Sequence, residues 1–255
     1  MIDYTVRDHV AEILFNHPPA NTISHEFLDV LLALLKRAGD DDEVGAIVLG
    51  SALPNRFCAG LDLDVLLKGS HQSAHDVVDK LYARLTDVQF ALPKPSIAAI
   101  SGAVRGGGIT VSISCDMIIA DREATFGYPE IDIGLLPAIH YTNLPRIIGR
   151  YKAFDLLFTG RTFTAVEAHE LGLVSRLAEP GKALEEARAA ARVLAAKSRT
   201  LMKKGKAGFV AAIDDGYRQG VAGAVNLIGT VLASEDCKEG LTAFVEKRKP
   251  VWKRD

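Results

Sequence analysis

A strand-like apolar run that leads into three consecutive glycines and then a helix is the feature that most restricts this chain. In "PSIAAISGAVRGGGITVSISC" an apolar, β-type segment precedes Gly106, Gly107 and Gly108, and a helical apolar run follows through Ser114. Consecutive glycines are entropically costly to order, so a folded chain keeps them where backbone must come very close to something. Two uses fit. One is tight helix–strand packing. The other is a helix start whose unpaired N–H groups and partial positive charge hold an anion, or an oxygen that becomes negative during a reaction. A second small-residue loop, "FCAGLDL", exposes the backbone of Cys58, Ala59 and Gly60 beside another apolar strand. Two such loops can each direct one N–H at the same oxygen.

The rest of the chain reads as alternating strands and helices. "YTVRDHVAEILFN" gives two short strands that break at "HPPAN". "SHEFLDVLLALLKRAGDD" has helical spacing, with Ser24 as N-cap and Phe27, Val30, Leu31 and Leu34 on one face. "VGAIVLGS" and "PSIAAISG" are buried strands, "LPNRFCAGLDL" is a loop, and a helix spans about 74–90. "DMIIAD", "ATFG" and "LVSRL" are further strands among helices, and from about residue 199 the signal is helical only. This order predicts an α/β fold with a helical C-terminal region outside the sheet. The expected division is 1–198 for the core and 199–255 for the helical part.

Composition narrows the function. The 255 residues are 48% apolar and 24% charged, with net charge −2, enough for a sizeable core and without a nucleic-acid footprint. The basic ending "EKRKPVWKRD" reads as a solvated tail or subunit contact. Cys58, Cys115 and Cys237 are odd in number and widely spaced, which suggests neither disulfides nor zinc and fits a reducing cytoplasm. No signal peptide or membrane-length apolar run is seen.

Several motifs are missing. The glycines do not form a dinucleotide fingerprint, because Val111 stands where a small third residue is needed. "EPGKAL" lacks the Ser or Thr of a phosphate loop, and no G-x-S-x-G nucleophile turn occurs. His71 and His75 in "HQSAH" share zinc-like spacing but lack the glutamate between them and a third ligand, so an exposed polar helix start is the preferred reading.

The blocks "RFCAGLDL", "PKPSIAAISGAVRGGGI", "CDMIIADREATFGYPEIDIGLLP", "LPRIIGRYKAFDLLFTG" and "TAVEAHELGLVSRL", in this order, resemble the enoyl-CoA hydratase/isomerase, or crotonase, superfamily. The resemblance extends over essentially the whole chain. It implies a spiral of repeated ββα units, a helical C-terminal region that builds a homotrimer or homohexamer, and a coenzyme A thioester as substrate, with no further cofactor and no metal. It also implies that the thioester oxygen takes N–H bonds from Leu61 and Gly107, with Ala59, Gly60, Gly106 and Gly108 beside them. Asp62 and Leu63 would border the CoA adenine, and Pro129 and Tyr141 the acyl part.

Hydratases of this family flank the C2–C3 bond with two glutamates. Here the second is present as Glu130 in "FGYPEIDIG", while the first position is Thr110. Adding water across a double bond needs both an activator of water and a C2 proton source, which two carboxyls supply. A threonine hydroxyl is no base near neutral pH. Moving a double bond from position 3 to position 2 needs only one carboxylate to carry a proton from C2 to C4. Apolar neighbours Ile131, Ile133, Leu135 and Leu136 are expected to raise the Glu130 pKa.

The family's glycine-rich run after Pro137 is replaced by "AIHYT", which puts His140 and Tyr141 near the acyl pocket as a second proton carrier or a shape filter. Asp132 is expected to share the side of Glu130 on an extended segment. Arg105, usually apolar in the family, is expected either to pair with an acid at a subunit contact or to meet a polar acyl group. The acyl pocket wall is expected from residues 66–88 and the C-terminal helices. Three functions follow in order: an enoyl-CoA isomerase using Glu130; a hydratase with water held by Thr110 or His140; and a CoA-ester-binding protein without catalysis.

Overall fold

The computed structural model describes residues 1–214 and 216–252, the His71 side chain excepted. In chain order it contains β1 (Ile2–Arg7), β2 (Val10–Phe15), α1 (His25–Asp40), β3 (Ala46–Ser51), β4 (Arg56–Cys58), α2 (Leu63–Lys68) and α3 (His71–Asp79). A π-turn (Lys80–Arg84) leads into α4 (Leu85–Ala91), then β5 (Ser96–Ile100), β6 (Ala103–Arg105), α5 (Gly107–Ser114), β7 (Met117–Asp121) and β8 (Thr125–Gly127). A 3-10 turn (Pro129–Ile133) precedes α6 (His140–Ile148), α7 (Arg150–Thr159), β9 (Thr162–Thr164), α8 (Ala165–Glu170), β10 (Arg176–Ala178) and α9 (Ala183–Ala195). The chain continues as α10 (Arg199–Ile213), α11 (Tyr217–Leu232) and α12 (Glu235–Val245).

The strands form two sheets. The larger runs β1-β2-β3-β5-β7-β10 and is parallel except for the β1/β2 hairpin. The smaller runs β4-β6-β8-β9 and is parallel except for β8/β9. Three times, one strand in the large sheet is followed by one in the small sheet and then by helical chain: β3-β4, β5-β6, β7-β8. This is a spiral of ββα coils, as the resemblance implies. The corners are stitched from coil to coil. Ala103 N donates to Asn55 O, and Thr125 N to Gly102 O, each at 3.1 Å. Gly102 has φ +78°, and a Cβ there would overlap the Asn55 carbonyl, so the corner admits only glycine.

Alternation along the strands divides the core. Ala11, Ile13, Phe15, Ile47 and Leu49 face α1 on one side of the large sheet, where the Phe15 ring meets Phe27 and Phe57 at 5.0 and 5.3 Å. Val10, Ala46, Val48, Ile97 and Ile119 face the alanine stripe of α9 on the other. Arg188 of α9 makes a two-pronged bond to buried Glu12 on β2, at 2.8 and 2.6 Å.

The sequence reading needs correction in places. Ser24 caps α1 as expected, but the buried stripe is Phe27, Leu28, Leu31, Leu35 and Ala38. Val30 and Leu34 are only half-buried, because they flank this stripe rather than lie on it. "RFC" is the strand β4 rather than loop, and β6 and β9 were not anticipated; each is three residues long and exists through its neighbours in the small sheet. Glu130 and Asp132 lie on a 3-10 turn, not an extended segment, so they do not share a side. Asp132 is exposed, and its carboxyl packs toward Gly160. Among the described residues no group of three or more His, Cys, Asp or Glu is placed to hold a metal; the His71 side chain of the zinc-like spacing lies outside them. No helix among them is long and apolar enough to cross a membrane. The last three residues of the basic ending also fall outside.

The C-terminal helices pack onto the core. Val221, Ala224, Val225 and Ile228 of α11 belong to the main apolar cluster. Cys237 and Leu241 of α12 cover Leu135, and Gly240 lies against the backbone of Ile133 and Gly134. On α10, Lys206 is buried, and its Nζ reaches Asp116 Oδ2 at 2.7 Å and Lys94 O at 3.1 Å. Asp116 is in turn held by the Ser96 amide at 2.7 Å. Replacing Lys206 by Met removes these bonds while keeping the stem. The expected loss is about 1–2 kcal/mol, read as a lower denaturant midpoint, with earlier amide exchange along α10 than in the sheet.

Candidate active site

Each glycine of the triplet has its own role. Gly108 packs on β4: a Cβ there would come within 2.8 Å of Cys58 Cβ and O. Gly106, at φ +44°, caps α5, and a Cβ on it would collide with the Glu130 carboxyl. Gly107 opens the helix, and its amide faces that of Leu61: a methyl on Gly107 would lie 3.5 Å from Leu61 N, and one on Gly60 3.4 Å from Gly107 N. The packing use read from the glycines is seen at Gly108, and the backbone at Gly107 lies close to that of Leu61.

The orientation of Leu61 has a local cause. Ile23 and Leu61 form a parallel bridge in which Ile23 N donates to Gly60 O and Asp62 N to Ile23 O, both at 2.9 Å. The bridge uses the groups on either side of the Leu61 amide and turns that amide the opposite way, toward Gly107. Among the described residues neither amide has a hydrogen-bond acceptor. Two converging, unpaired N–H groups at a helix start can bind one oxygen and stabilise negative charge on it.

Glu130 stands next to them. Pro129 begins its 3-10 turn, and Gly134 at φ +74° ends it. The residue keeps some exposed surface, but Oε2 is shut off from solvent and has no hydrogen-bond partner. Burial pushes the carboxyl up to about 7, opposed only by its own amide. A cavity of about 20 Å³ joins Leu61, Gly107 and Glu130, walled by Leu66, Val78 and Leu81 and closed by Ile228 and Leu232 of α11. Both the 66–88 segment and the C-terminal region therefore supply the wall.

Thr110 and His140 do not reach this cavity. They are buried and bonded to each other, Thr110 Oγ1 to His140 Nε2 at 3.0 Å. The Tyr128 hydroxyl lies 3.5 Å from His140 Nδ1. Burial drives the imidazole down to about 3, so it is neutral near physiological pH. Neither Thr110 nor His140 lines the cavity around Glu130. Tyr141 is half-buried, stacked on Phe158 at 5.5 Å, and near enough to Glu130 for that carboxylate to raise its pKa. Asp62 caps α2 by accepting from Asp64 N at 3.0 Å, and Leu63 is the first residue of that helix. Ala59 donates to Ala20 O at 3.0 Å. Within the chain, Arg105 donates to the carbonyls of Val104 and Thr125 and to Thr125 Oγ1.

Tyr82 lines the cavity and was not singled out by sequence reasoning. Its position depends on the π-turn, which leaves no local mark in composition.

A buried carboxyl with a raised pKa makes the fold less stable as pH rises. Between the unfolded value near 4.5 and about 7 the folded state binds the extra proton, so raising pH through this window costs stability. Glu130→Gln is therefore expected to be more stable than the parent at pH 8, by about 1–2 kcal/mol, and indistinguishable at pH 4. Paired urea melts at the two pH values check this.

Comparison with known proteins agrees with the fold. The sequence matches the enoyl-CoA hydratase/isomerase family over residues 5–255. A relative from Thermus thermophilus is 37% identical over 251 residues, 96% of this chain and 97% of the other. The "Probable enoyl-CoA hydratase" of Rhizobium meliloti is 36% identical, with 96% and 94% covered. The crystal structure of an enoyl-CoA hydratase/isomerase from Xanthobacter autotrophicus superposes with TM-score 0.87 at 26% identity, covering 97% of this chain and 96% of that one. Five ordered sequence blocks, the ββα spiral and full-length relatives converge: the chain belongs to the enoyl-CoA hydratase/isomerase (crotonase) family.

Proposed function

We propose that the protein is an enoyl-CoA isomerase that shifts a double bond from position 3 to position 2 of an acyl-CoA, with Glu130 as its single proton carrier. The observation that carries this reading is the buried, unpartnered Oε2 of Glu130 in the same cavity as the Leu61 and Gly107 amides. The two N–H groups hold the thioester oxygen as the enolate forms, Glu130 takes the proton from C2, and the same acid returns it at C4. Gly106 and Gly108 let the backbone and the carboxyl approach; Ala59, Gly60, Asp62 and Leu63 border the CoA moiety, and Pro129 and Tyr141 the acyl side. No further cofactor enters this scheme. The C-terminal helices leave Leu201, Phe209, Phe244 and Val245 exposed, which supports a homotrimer or homohexamer; a cytoplasmic location goes with this reading.

The names of the relatives favour a second reading, hydration with a bound water. Against it stands the placement of Thr110 and His140: both are buried, bonded to each other and outside the lining of the cavity that holds Glu130. Glu130→Gln is expected to lower 3-enoyl-CoA isomerisation by at least about a thousandfold with CoA-ester binding retained. In the parent, kcat/KM should fall as pH drops through about 7, because the base must be ionised. Loss of the conjugated absorbance of crotonyl-CoA at a rate matching isomerisation would instead establish the hydratase reading.

Thr110→Glu tests the missing carboxylate. It is expected to give measurable crotonyl-CoA hydration when combined with His140→Gly, which opens space for the longer side chain. Hydration absent from the folded double variant would show that the pocket shape, not the missing acid, excludes water.

A further inference from the structure

Tyr82 shares the Glu130 cavity but has no part in the chemistry above. It is presented by the π-turn, where Leu85 N–H bonds Lys80 O. Single π-turns inside helices occur frequently at functional sites. Thr86 Oγ1 donates to the Tyr82 carbonyl at 2.7 Å and holds the wider turn. The side chain is buried near the Ala138 and Ile139 amides at the entry to α6, and among the described residues its hydroxyl makes no hydrogen bond, so its proton is uncommitted. Apart from Tyr82 and Glu130, the lining side chains are apolar. The cavity is about one water across. The one buried acceptor there without a partner is Glu130 Oε2.

We infer that Tyr82 is the positioning residue of Glu130: its phenol donates to Oε2 through one water held in the cavity, and leaves Oε1 to work on the substrate. The inference rests on Glu130 being the base. The titratable groups facing that carboxyl are Tyr82 from the π-turn, Tyr128 ahead of the 3-10 turn and Tyr141 from α6. Neutral His140 lies behind Gly106, and α11 presents only Ile228 and Leu232. Donation to a carboxylate favours its charged form, so removing the donor raises the carboxyl pKa.

The test is Tyr82→Phe, assayed with a 3-enoyl-CoA from pH 5 to 9. The acid limb of kcat/KM is expected to move up by about one pH unit, with kcat at pH 7 lowered about tenfold and KM unchanged. Much of the loss should be recovered at pH 9. A purely structural role would lower activity at every pH and leave the limb in place. Should Phe impair folding, 3-fluorotyrosine at position 82 keeps the ring and strengthens the donor, and the limb should move down. An unmoved limb in a folded variant overturns the role of Tyr82. Full turnover by Glu130→Gln overturns the base reading instead, so the two failures are distinguishable.

Discussion

Everything in the site depends on two backbone segments crossing without a Cβ between them. The loop after β4 and the start of α5 belong to successive coils of the spiral, and they meet at Gly60, Gly107 and Gly108. The coil-to-coil bonds at Asn55–Ala103 and Gly102–Thr125 fix that distance from one side. The Ile23–Leu61 bridge fixes it from the other. Because the converging amides are main-chain groups held by the sheet, their alignment involves little reorganisation when charge appears on an oxygen between them. The fold supplies the electrostatic part of the site; the side chains above it choose the reaction.

On the proposed mechanism that choice comes down to how two ionisable groups are buried. Glu130 lies in an apolar pocket with no cation and no donor of its own apart from its amide, and its carboxyl titrates near neutrality. His140 is buried too, but between two hydroxyls, and stays neutral over the same range. Burial therefore acts in opposite directions on the two groups, making the acid available as a proton carrier and the imidazole unavailable as one. Where the hydratase pattern has a second carboxylate, this chain has a satisfied, uncharged hydrogen-bonded pair.

Much of this was legible in the sequence because long apolar runs and glycine clusters have local physical causes. The buried strands β3, β5 and β7 are mostly β-branched or small, and Ser24, the triplet and Glu130 mark their own positions. What was not legible is set by distant partners. β4, β6 and β9 are strands only because each lies beside another three-residue strand. The Thr110–His140 bond spans thirty positions. The Pro129–Ile133 turn was expected to be extended, yet Pro129 at its first position and Gly134 at its end favour a tight turn. Tyr82 falls in the 66–88 segment expected to line the pocket, but nothing in the sequence singles it out from its neighbours.

The C-terminal helices belong to the chemistry as well as to the surface. At about 20 Å³ the cavity is far smaller than an acyl chain, and the side chains that close it, Leu135, Ile228 and Leu232, belong to or touch α11 and α12. Binding an acyl group must therefore move these helices or the Leu66–Leu81 wall. The same α12 lies on Ile133 and Gly134, the end of the turn that carries Glu130. A ligand that displaces the helices thus acts on the position of Glu130. Lys206 ties the adjoining α10 to Asp116 just beyond α5, the helix that begins at the Gly107 amide. These contacts join the cavity wall, Glu130 and α5, so on the proposed mechanism acyl-chain fit and proton transfer are coupled.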